Sequence, residues 1–139
     1  MKNFVVYKSS AGSGKTFTLV KEYLKLSLID KSKLTYNFKR ILAITFTNLA
    51  AAEMKDRIIS SLQQITENKK TTDIAKILAQ ELNVSQEELI YRSKIVLENI
   101  LHNYSDLAVG TIDSFTHKLI KTFAFDLRLP INFNLELDP

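Results

Sequence analysis

Cysteine is absent from the 139 residues, which excludes disulfide bonds and thiolate metal sites and favours a cytoplasmic location. No apolar run approaches the length of about 18 residues that a membrane-spanning helix needs, so we expect no membrane partner. The sequence leads almost directly into a predicted strand, so we also expect no secretory signal. These absences, with 45% hydrophobic residues, indicate an ordinary globular chain whose length fits one domain.

Glycine is scarce as well, with three residues against about ten expected for a chain of this length. Two of them, Gly12 and Gly14, lie in one short loop between a β-rich run (4–7) and a helical pattern. The loop ends in Gly14-Lys15-Thr16, and the strand–loop–helix setting makes it typical of a phosphate-binding P-loop. Glycine lets the backbone approach a polyphosphate without a Cβ atom in the way. Loop amides would then bind phosphate oxygens, aided by the dipole of the following helix.

This loop predicts an ATP site with Mg²⁺ as its metal cofactor. Lys15 would reach the β- and γ-phosphates, and the Thr16 hydroxyl would hold Mg²⁺. The predicted nucleotide-binding residues are Ser10, Ala11, Gly12, Ser13, Gly14, Lys15 and Thr16. The first glycine position of the pattern G-x-x-x-x-G-K-[ST] is occupied by Ser9. The alternative interpretation is therefore a flexible linker that opens a helix by chance.

The hydrophobic pattern predicts strands that alternate with helices, which favours βαβ units and a small parallel sheet in an α/β fold. The predicted strands are 4–7, 41–47 and 107–112, and the predicted helices are 18–29, 49–65, 73–82, 85–104 and one that begins after 112. We expect Asn48 to cap the second helix and Asp113 or Ser114 to cap the last. The polar, basic stretch 30–39 reads as a solvated loop. The segment 127–139 reads as an extended segment or edge strand.

Two further segments narrow the class of P-loop protein. Residues 41–58 contain Thr45-Phe46-Thr47-Asn48 followed by a helix with Glu-Met-Lys and an arginine, which resembles motif Ia of the UvrD/RecB-type superfamily-one DNA helicases. Residues 109–115, with Gly110-Thr111-Ile112, resemble the next block of that family. The three blocks occur in the family's order. The resemblance implies that residues 1–139 form the N-terminal part of a RecA-like ATP-binding domain, with a helical insertion at about 66–104.

The resemblance also implies a partner, single-stranded DNA. Its contacts would be Thr45, Phe46, Thr47, Asn48 and Thr111. The chemistry of these residues is consistent with that role, because ligands bind at the carboxyl ends of parallel strands and a phenylalanine ring can stack on a base. Strand propensity and helix capping are the alternative explanations for the same residues. The net charge of +4 adds a weak preference for an anionic partner.

Smaller features indicate the RecB/AddA branch of helicase–nuclease subunits. Phe17 follows the Gly-Lys-Thr run as it does in RecB-like chains, so we add it to the predicted nucleotide site. Residues 125–133 resemble the stretch after the third block in that branch. The chain departs from the family at Leu49, where lysine is frequent, and at Asp113, where histidine is usual. Leu49 lacks the charge with which a lysine could contact a phosphate. The carboxylate of Asp113 would repel a DNA backbone.

The catalytic parts that ATP hydrolysis needs beyond Lys15 and Thr16 are not found in the sequence. No apolar strand that ends in Asp-Glu follows the P-loop, and the arginines are not clustered, whereas hydrolysis needs an acidic Mg²⁺ partner and a positioned water. We therefore expect ATP binding with little or no turnover by this chain alone. The remaining partners would be a second RecA-like domain and a nuclease partner subunit. The competing hypotheses are a stand-alone nucleotide-binding module and a small-molecule kinase.

Overall fold

The computed structural model describes residues 4–7, 14–67, 72–124, 126 and 128. The helices are α1 (Lys15–Leu28), α2 (Asn48–Glu67), α3 (Asp73–Leu82), α4 (Gln86–His102) and α5 (Ile112–Thr122). The strands are β1 (Ala43–Thr45) and β2 (Val109–Thr111), and short 3₁₀ turns cover Lys31–Lys33, Asn37–Arg40 and Tyr104–Asp106. The described part of the chain is thus a helix-rich α/β structure with a small sheet.

The two strands pair in parallel, with Ala43 opposite Val109 and Thr45 opposite Thr111. The prediction of a parallel sheet is therefore confirmed for β1 and β2, although both strands are shorter than predicted. The prediction of a strand at 4–7 is wrong, since these residues have no regular secondary structure and are exposed. A strand is stabilised by pairing with a neighbour, and the described sheet consists of β1 and β2 alone.

One hydrophobic core joins α1, α2, α3 and α4. Its fully buried side chains are Leu24, Leu28, Phe38, Ile58, Leu62, Leu78, Leu89, Val96 and Ile100. The buried stripe of α2 runs from Ala51 through Met54 and Ile58. Helices α3 and α4, predicted as an insertion, therefore pack in the same core as the helix that follows the predicted P-loop.

The stretch 30–39 is not the solvated loop that its polarity predicts. Leu34 and Phe38 are buried, with 3% and 0% of their surface exposed, and the Tyr23 hydroxyl donates to the Phe38 carbonyl at 3.4 Å. Asp30 starts the first 3₁₀ turn by accepting hydrogen bonds from the Ser32 amide and hydroxyl. The hydroxyl bond, with the neighbouring Lys33 ammonium, lowers the pKa of the Asp30 carboxyl to about 2. Leu34 and Phe38 therefore anchor the segment to the core, while several of its polar residues, such as Lys31, Ser32 and Lys39, remain exposed.

Side chains from the predicted insertion fix the far end of α1. The Arg92 guanidinium on α4 donates to the Leu28 carbonyl at 2.9 Å and to the Ile29 carbonyl at 3.2 Å, and its Nε donates to Glu88 at 2.8 Å. These carbonyls lie at the C-terminal end of α1, where the helix dipole favours a cation. The arginine therefore caps α1 from another helix.

Replacing Arg92 with methionine is expected to lower the free energy of unfolding by about 1–3 kcal/mol, because two carbonyls at the helix end lose a charged donor. The arginine is the right residue to test, since only 12% of its side chain is exposed. Lys94→Met on the same helix is the matched control, as Lys94 is exposed and should change stability by less than about 0.5 kcal/mol. Urea unfolding measures both; equal stabilities of the two variants would contradict the capping role.

Candidate nucleotide and nucleic-acid site

Helix α1 begins directly after Gly14, which provides no side-chain cap. Gly14 precedes it in the left-handed region, with φ 79° and ψ 21°, and its cap position makes no side-chain hydrogen bond to the helix. The Gly14 carbonyl accepts the Thr18 amide at 2.9 Å and the Thr18 hydroxyl at 3.2 Å. The first turn holds no acidic residue, so the positive end of the helix dipole is not neutralised from within that turn. This geometry suits an anion such as phosphate.

The structure describes the second half of the predicted nucleotide site. Lys15 is exposed and Thr16 is half-buried in the first turn of α1. Phe17 is 40% exposed and lines a cleft of about 350 Å³ between α1 and α2, which Arg57 also lines. The predicted residues Ser10, Ala11, Gly12 and Ser13 lie outside the described residues.

Side-chain contacts connect the segment before the predicted loop with α1, and α1 with α3. Before the loop, the Tyr7 hydroxyl donates to Glu22 at 3.1 Å, and this bond raises the pKa of Tyr7. After the loop, the Lys21 ammonium lies 2.6 Å from both Glu22 and Glu81, and Lys25 lies 2.6 Å from Glu81. Hydrogen bonds to these two lysines lower the pKa of the Glu81 carboxyl. The network therefore ties residue 7, α1 and α3 together.

The carboxyl ends of β1 and β2 bring Thr45 and Thr111 side by side, as the sequence predicted. The Thr45 hydroxyl donates to the Thr47 carbonyl at 3.0 Å and lies 3.4 Å from the Gly110 carbonyl. A Cβ atom at Gly110 would lie 2.7 Å from the Ser114 hydroxyl, so a larger residue there would require that hydroxyl to rotate away. That hydroxyl donates to the Thr111 carbonyl at 2.8 Å. Glycine at position 110 thus allows the Ser114 hydroxyl to keep this bond at the start of α5.

Both helix caps at this edge differ from the prediction. The Thr47 hydroxyl, rather than Asn48, caps α2 by accepting the Ala50 amide at 3.1 Å. The Thr111 hydroxyl, rather than Asp113 or Ser114, caps α5 by accepting the Ser114 amide at 3.2 Å. Each helix therefore begins within a few residues of its strand, and threonine suits the cap position. Thr111 is also 7% exposed, so it has little surface to offer a ligand.

The remaining predicted DNA-binding residues lie on the surface of this edge. Phe46 is 95% exposed, and Thr47 and Asn48 beside it are also exposed. A fully exposed phenylalanine loses the hydrophobic stabilisation that burial would give it. Its ring is accessible for stacking on a planar ligand, which is the chemistry that a nucleic-acid base offers.

A cleft that the sequence did not predict adjoins the Thr111 end. It has a volume of about 410 Å³ and is lined by the apolar side chains Leu42, Ile44 and Phe115. Its basic residues are Lys39, Arg40, Lys55 and Lys118. We call it the basic cleft. These residues come from separate parts of the chain, so no local sequence pattern identifies them.

Metal-binding clusters and membrane-spanning helices are both absent from the described ranges. Residues 4–7, 14–67 and 72–124 hold no cluster of three or more His, Cys, Asp and Glu side chains that could bind a metal ion. None of the helices in these ranges is long and apolar enough to cross a membrane. The hydroxyl of Thr16, in the first turn of α1, is an oxygen group of the kind that Mg²⁺ takes as a ligand.

Comparison with known proteins gives a consistent result. The family model described as UvrD/REP helicase N-terminal domain matches residues 1–138. RecBCD enzyme subunit RecB of Haemophilus influenzae is 33% identical, with 94% of this chain and 11% of that protein covered. The matching subunit of the ATP-dependent helicase/nuclease of Streptococcus suis is 31% identical, with 96% and 9% covered. Exonuclease/helicase subunit RexA of Lactococcus lactis is 29% identical, with 99% and 9% covered.

The coverage of these relatives is strongly asymmetric. The chain spans 9–11% of the length of the three proteins, although nearly all of it aligns with each. No solved structure matches the chain. The similarity therefore concerns one short segment of each relative, and the activities of the longer proteins are a separate question.

Proposed function

The chain belongs to the UvrD/REP helicase N-terminal domain family, and on that premise we propose that it is the ATP-binding part of a DNA helicase or helicase–nuclease subunit. Residues 1–139 would form the N-terminal part of a P-loop, RecA-like domain with a helical insertion at about 66–104. The names of the relatives, RecB and ATP-dependent helicase/nuclease, support this class. A DNA substrate and the absence of cysteine fit a cytoplasmic location.

The proposed nucleotide site is the loop 10–14 with the first turn of α1. Lys15 would pair with the β- and γ-phosphates, and Thr16 would coordinate a Mg²⁺ ion bound with ATP. The start of α1, with Gly14 at φ 79° and no acidic residue in the first turn, supports this assignment. Phe17 would contact the nucleotide from the next position.

The proposed DNA site is the carboxyl edge of the sheet. The observation that carries it is the 95% exposed Phe46 directly after β1, next to the paired strand ends Thr45 and Thr111. Phe46 would stack on a base, and the exposed groups of Thr47 and Asn48 would contact the backbone of single-stranded DNA. Because stacking and phosphate contacts do not read base edges, binding would be independent of sequence.

ATP hydrolysis would depend on catalytic groups that the described residues do not supply. The strands β1 and β2 end in Thr45 and Thr111, and neither end carries the carboxylate that Mg²⁺ needs in this class of enzyme. We propose that a second RecA-like domain completes the ATP site and drives stepping along DNA, and that the parent enzyme also contains a nuclease partner subunit. The isolated chain would bind ATP and hydrolyse little of it.

A titration of labelled single-stranded oligo-dT, followed by fluorescence anisotropy, tests the DNA assignment. Phe46→Ala is expected to weaken binding by about 1–3 kcal/mol, since one stacked base loses its ring. Tyr91→Ala removes a 52% exposed ring from α4 and is the matched control, with wild-type affinity expected. Equal affinities of the two variants would remove Phe46 from the site.

The same titration at two salt concentrations separates the classes of function. A helicase fragment that contacts several phosphates loses affinity steeply as salt rises. A small-molecule kinase, or a module that binds nucleotide alone, would show no salt-dependent affinity for the oligonucleotide. That outcome would refute the DNA-binding proposal while leaving the nucleotide site to be judged separately.

A further inference from the structure

One side of the sheet and of α5 is left uncovered among the described residues. Along β1 and the two residues before it, the side chains of Ile41 and Ala43 pack against the core, whereas Leu42 and Ile44 remain 46% and 45% exposed. Helix α5 has no buried residue. We define the open apolar face by Leu42, Ile44, Phe115, Leu119 and Phe123, which are each 36–48% exposed.

An apolar face of this kind normally has an occupant. Parallel sheets are covered on both sides in folded proteins, and contiguous exposed apolar patches mark binding surfaces. Phe115, Leu119 and Phe123 follow one another at intervals of four residues, so they form a single stripe along α5. Phe115 also lines the basic cleft with Leu42 and Ile44, which makes the stripe and the sheet one continuous surface.

The rim of this surface is cationic. Arg40, Lys55 and Lys118 line the basic cleft, and no acidic side chain lines it within the part of the chain that the structure describes. The fourth cation, Lys39, is engaged by Asp106 at 2.8 Å. A segment that covered the face would therefore be stabilised by alternating apolar residues together with acidic ones.

Residues 129–139, which lie outside the described residues, have that composition. Their apolar residues are Leu129, Ile131, Phe133, Leu135 and Leu137, at every second position. Glu136 and Asp138 are the charged residues of the segment, and both are acidic. We propose that residues 129–139 bind the open apolar face as an extended segment, with the alternate apolar side chains on the face. Glu136 and Asp138 would then lie on the other side of the segment, at the cationic rim of the face.

The chain is long enough for this placement. The nine residues from 125 to 133 span up to about 30 Å when extended. The eight residue steps from Phe123, at the end of α5, back to Phe115 cover only about 12 Å along the helix. Pro130 lacks an amide donor, which is compatible with an outer strand. The segment can thus return along α5 and reach the sheet.

Cysteine cross-linking tests the proposal cleanly, because the natural chain has no cysteine. In the full chain carrying Ile44→Cys and Phe133→Cys, oxidation should form an intramolecular disulfide. The matched control carries Tyr91→Cys with Phe133→Cys, since Tyr91 is 52% exposed on α4 and does not line the cleft. We expect the first pair to react at least about tenfold faster, because docking raises the effective concentration of the two thiols.

The contribution of the two carboxylates to docking is measured separately. Glu136→Gln with Asp138→Asn should slow cross-linking of the first pair at low salt and have a much smaller effect at about 1 M salt, where ion pairs are screened. Deletion of residues 129–139 should raise the fluorescence of the apolar dye ANS several-fold. These measurements use neither nucleotide nor DNA, so their outcome is independent of the proposed helicase function.

Three outcomes would overturn the proposal. Equal oxidation rates for the two cysteine pairs would mean that the segment does not dock on the face. A disulfide that forms between molecules, with a rate that rises with protein concentration, would assign the face to a second copy of the chain. Unchanged ANS fluorescence after the deletion would mean that the segment does not cover the apolar surface.

Discussion

Replacing Phe38 with alanine is expected to destabilise the protein by about 3–5 kcal/mol. The phenyl ring is fully buried and is the largest of the side chains that are completely enclosed by the core. Its removal leaves a cavity that the surrounding helices cannot fill, because protein interiors are close-packed. The backbone carbonyl of the same residue accepts a hydrogen bond from the Tyr23 hydroxyl, and the alanine variant keeps that carbonyl, so the expected loss comes from the ring.

Urea unfolding followed by circular dichroism measures this loss. Tyr36→Ala is the matched control, because Tyr36 lies two residues away in the same segment and is 41% exposed. The control should cost about 1 kcal/mol or less. If both variants lost the same small amount of stability, the segment 30–39 would be a surface loop, as its polar composition suggests.

The contrast between Phe38 and α3 explains which parts of the fold can be predicted from sequence. Helix α3 has the bounds predicted, Asp73–Leu82, because its apolar residues repeat with the helical period and Thr72 caps it. The 3₁₀ turns around Phe38 are three and four residues long, too short for any period to emerge. A single phenylalanine among lysines then carries no signal of its burial.

The helix caps reveal a second limit on sequence reasoning. A threonine at or just after the end of a strand can serve the strand end and the next helix together, as Thr47 and Thr111 do. The residues that follow them, Asn48 and Asp113, have better cap propensities when read alone. Direct strand–helix connections thus move the cap back towards the strand, and a local pattern does not include that constraint.

The candidate site also has one part that the sequence predicts and another that it does not. Parallel pairing predicts that strand ends meet, and Thr45 and Thr111 do lie in register. The basic cleft depends on residues from the 3₁₀ turn Asn37–Arg40, β1, α2, α5 and the stretch before β2, so it follows from packing alone. The uncovered side of the sheet likewise depends on how the helices and strands pack together. Motifs therefore locate the edge of the site, while the tertiary structure determines its neighbouring surfaces.

Replacing Lys15 with alanine is expected to weaken ATP binding by at least about 2 kcal/mol, which is roughly thirty-fold. The proposed phosphates would lose the charged side-chain donor in the first turn of α1, while the helix amides would remain. The fold should be unaffected, because Lys15 is exposed and the core side of α1 begins at Val20. A fluorescent ATP analogue titrated with and without Mg²⁺ measures the change.

Two companion variants separate a specific contact from general electrostatics. Lys94→Ala removes an equally exposed cation from α4 and should leave ATP affinity within about twofold of wild type, since exposed charges beyond about 10 Å are screened. Thr16→Val keeps the shape of the side chain but removes the oxygen ligand, so it should reduce affinity with Mg²⁺ far more than affinity measured in EDTA. Equal losses for Lys15→Ala and Lys94→Ala would mean that ATP responds only to net charge. The loop before α1 would then be the linker that its altered first position, Ser9, allows, and the proposed nucleotide site would be wrong.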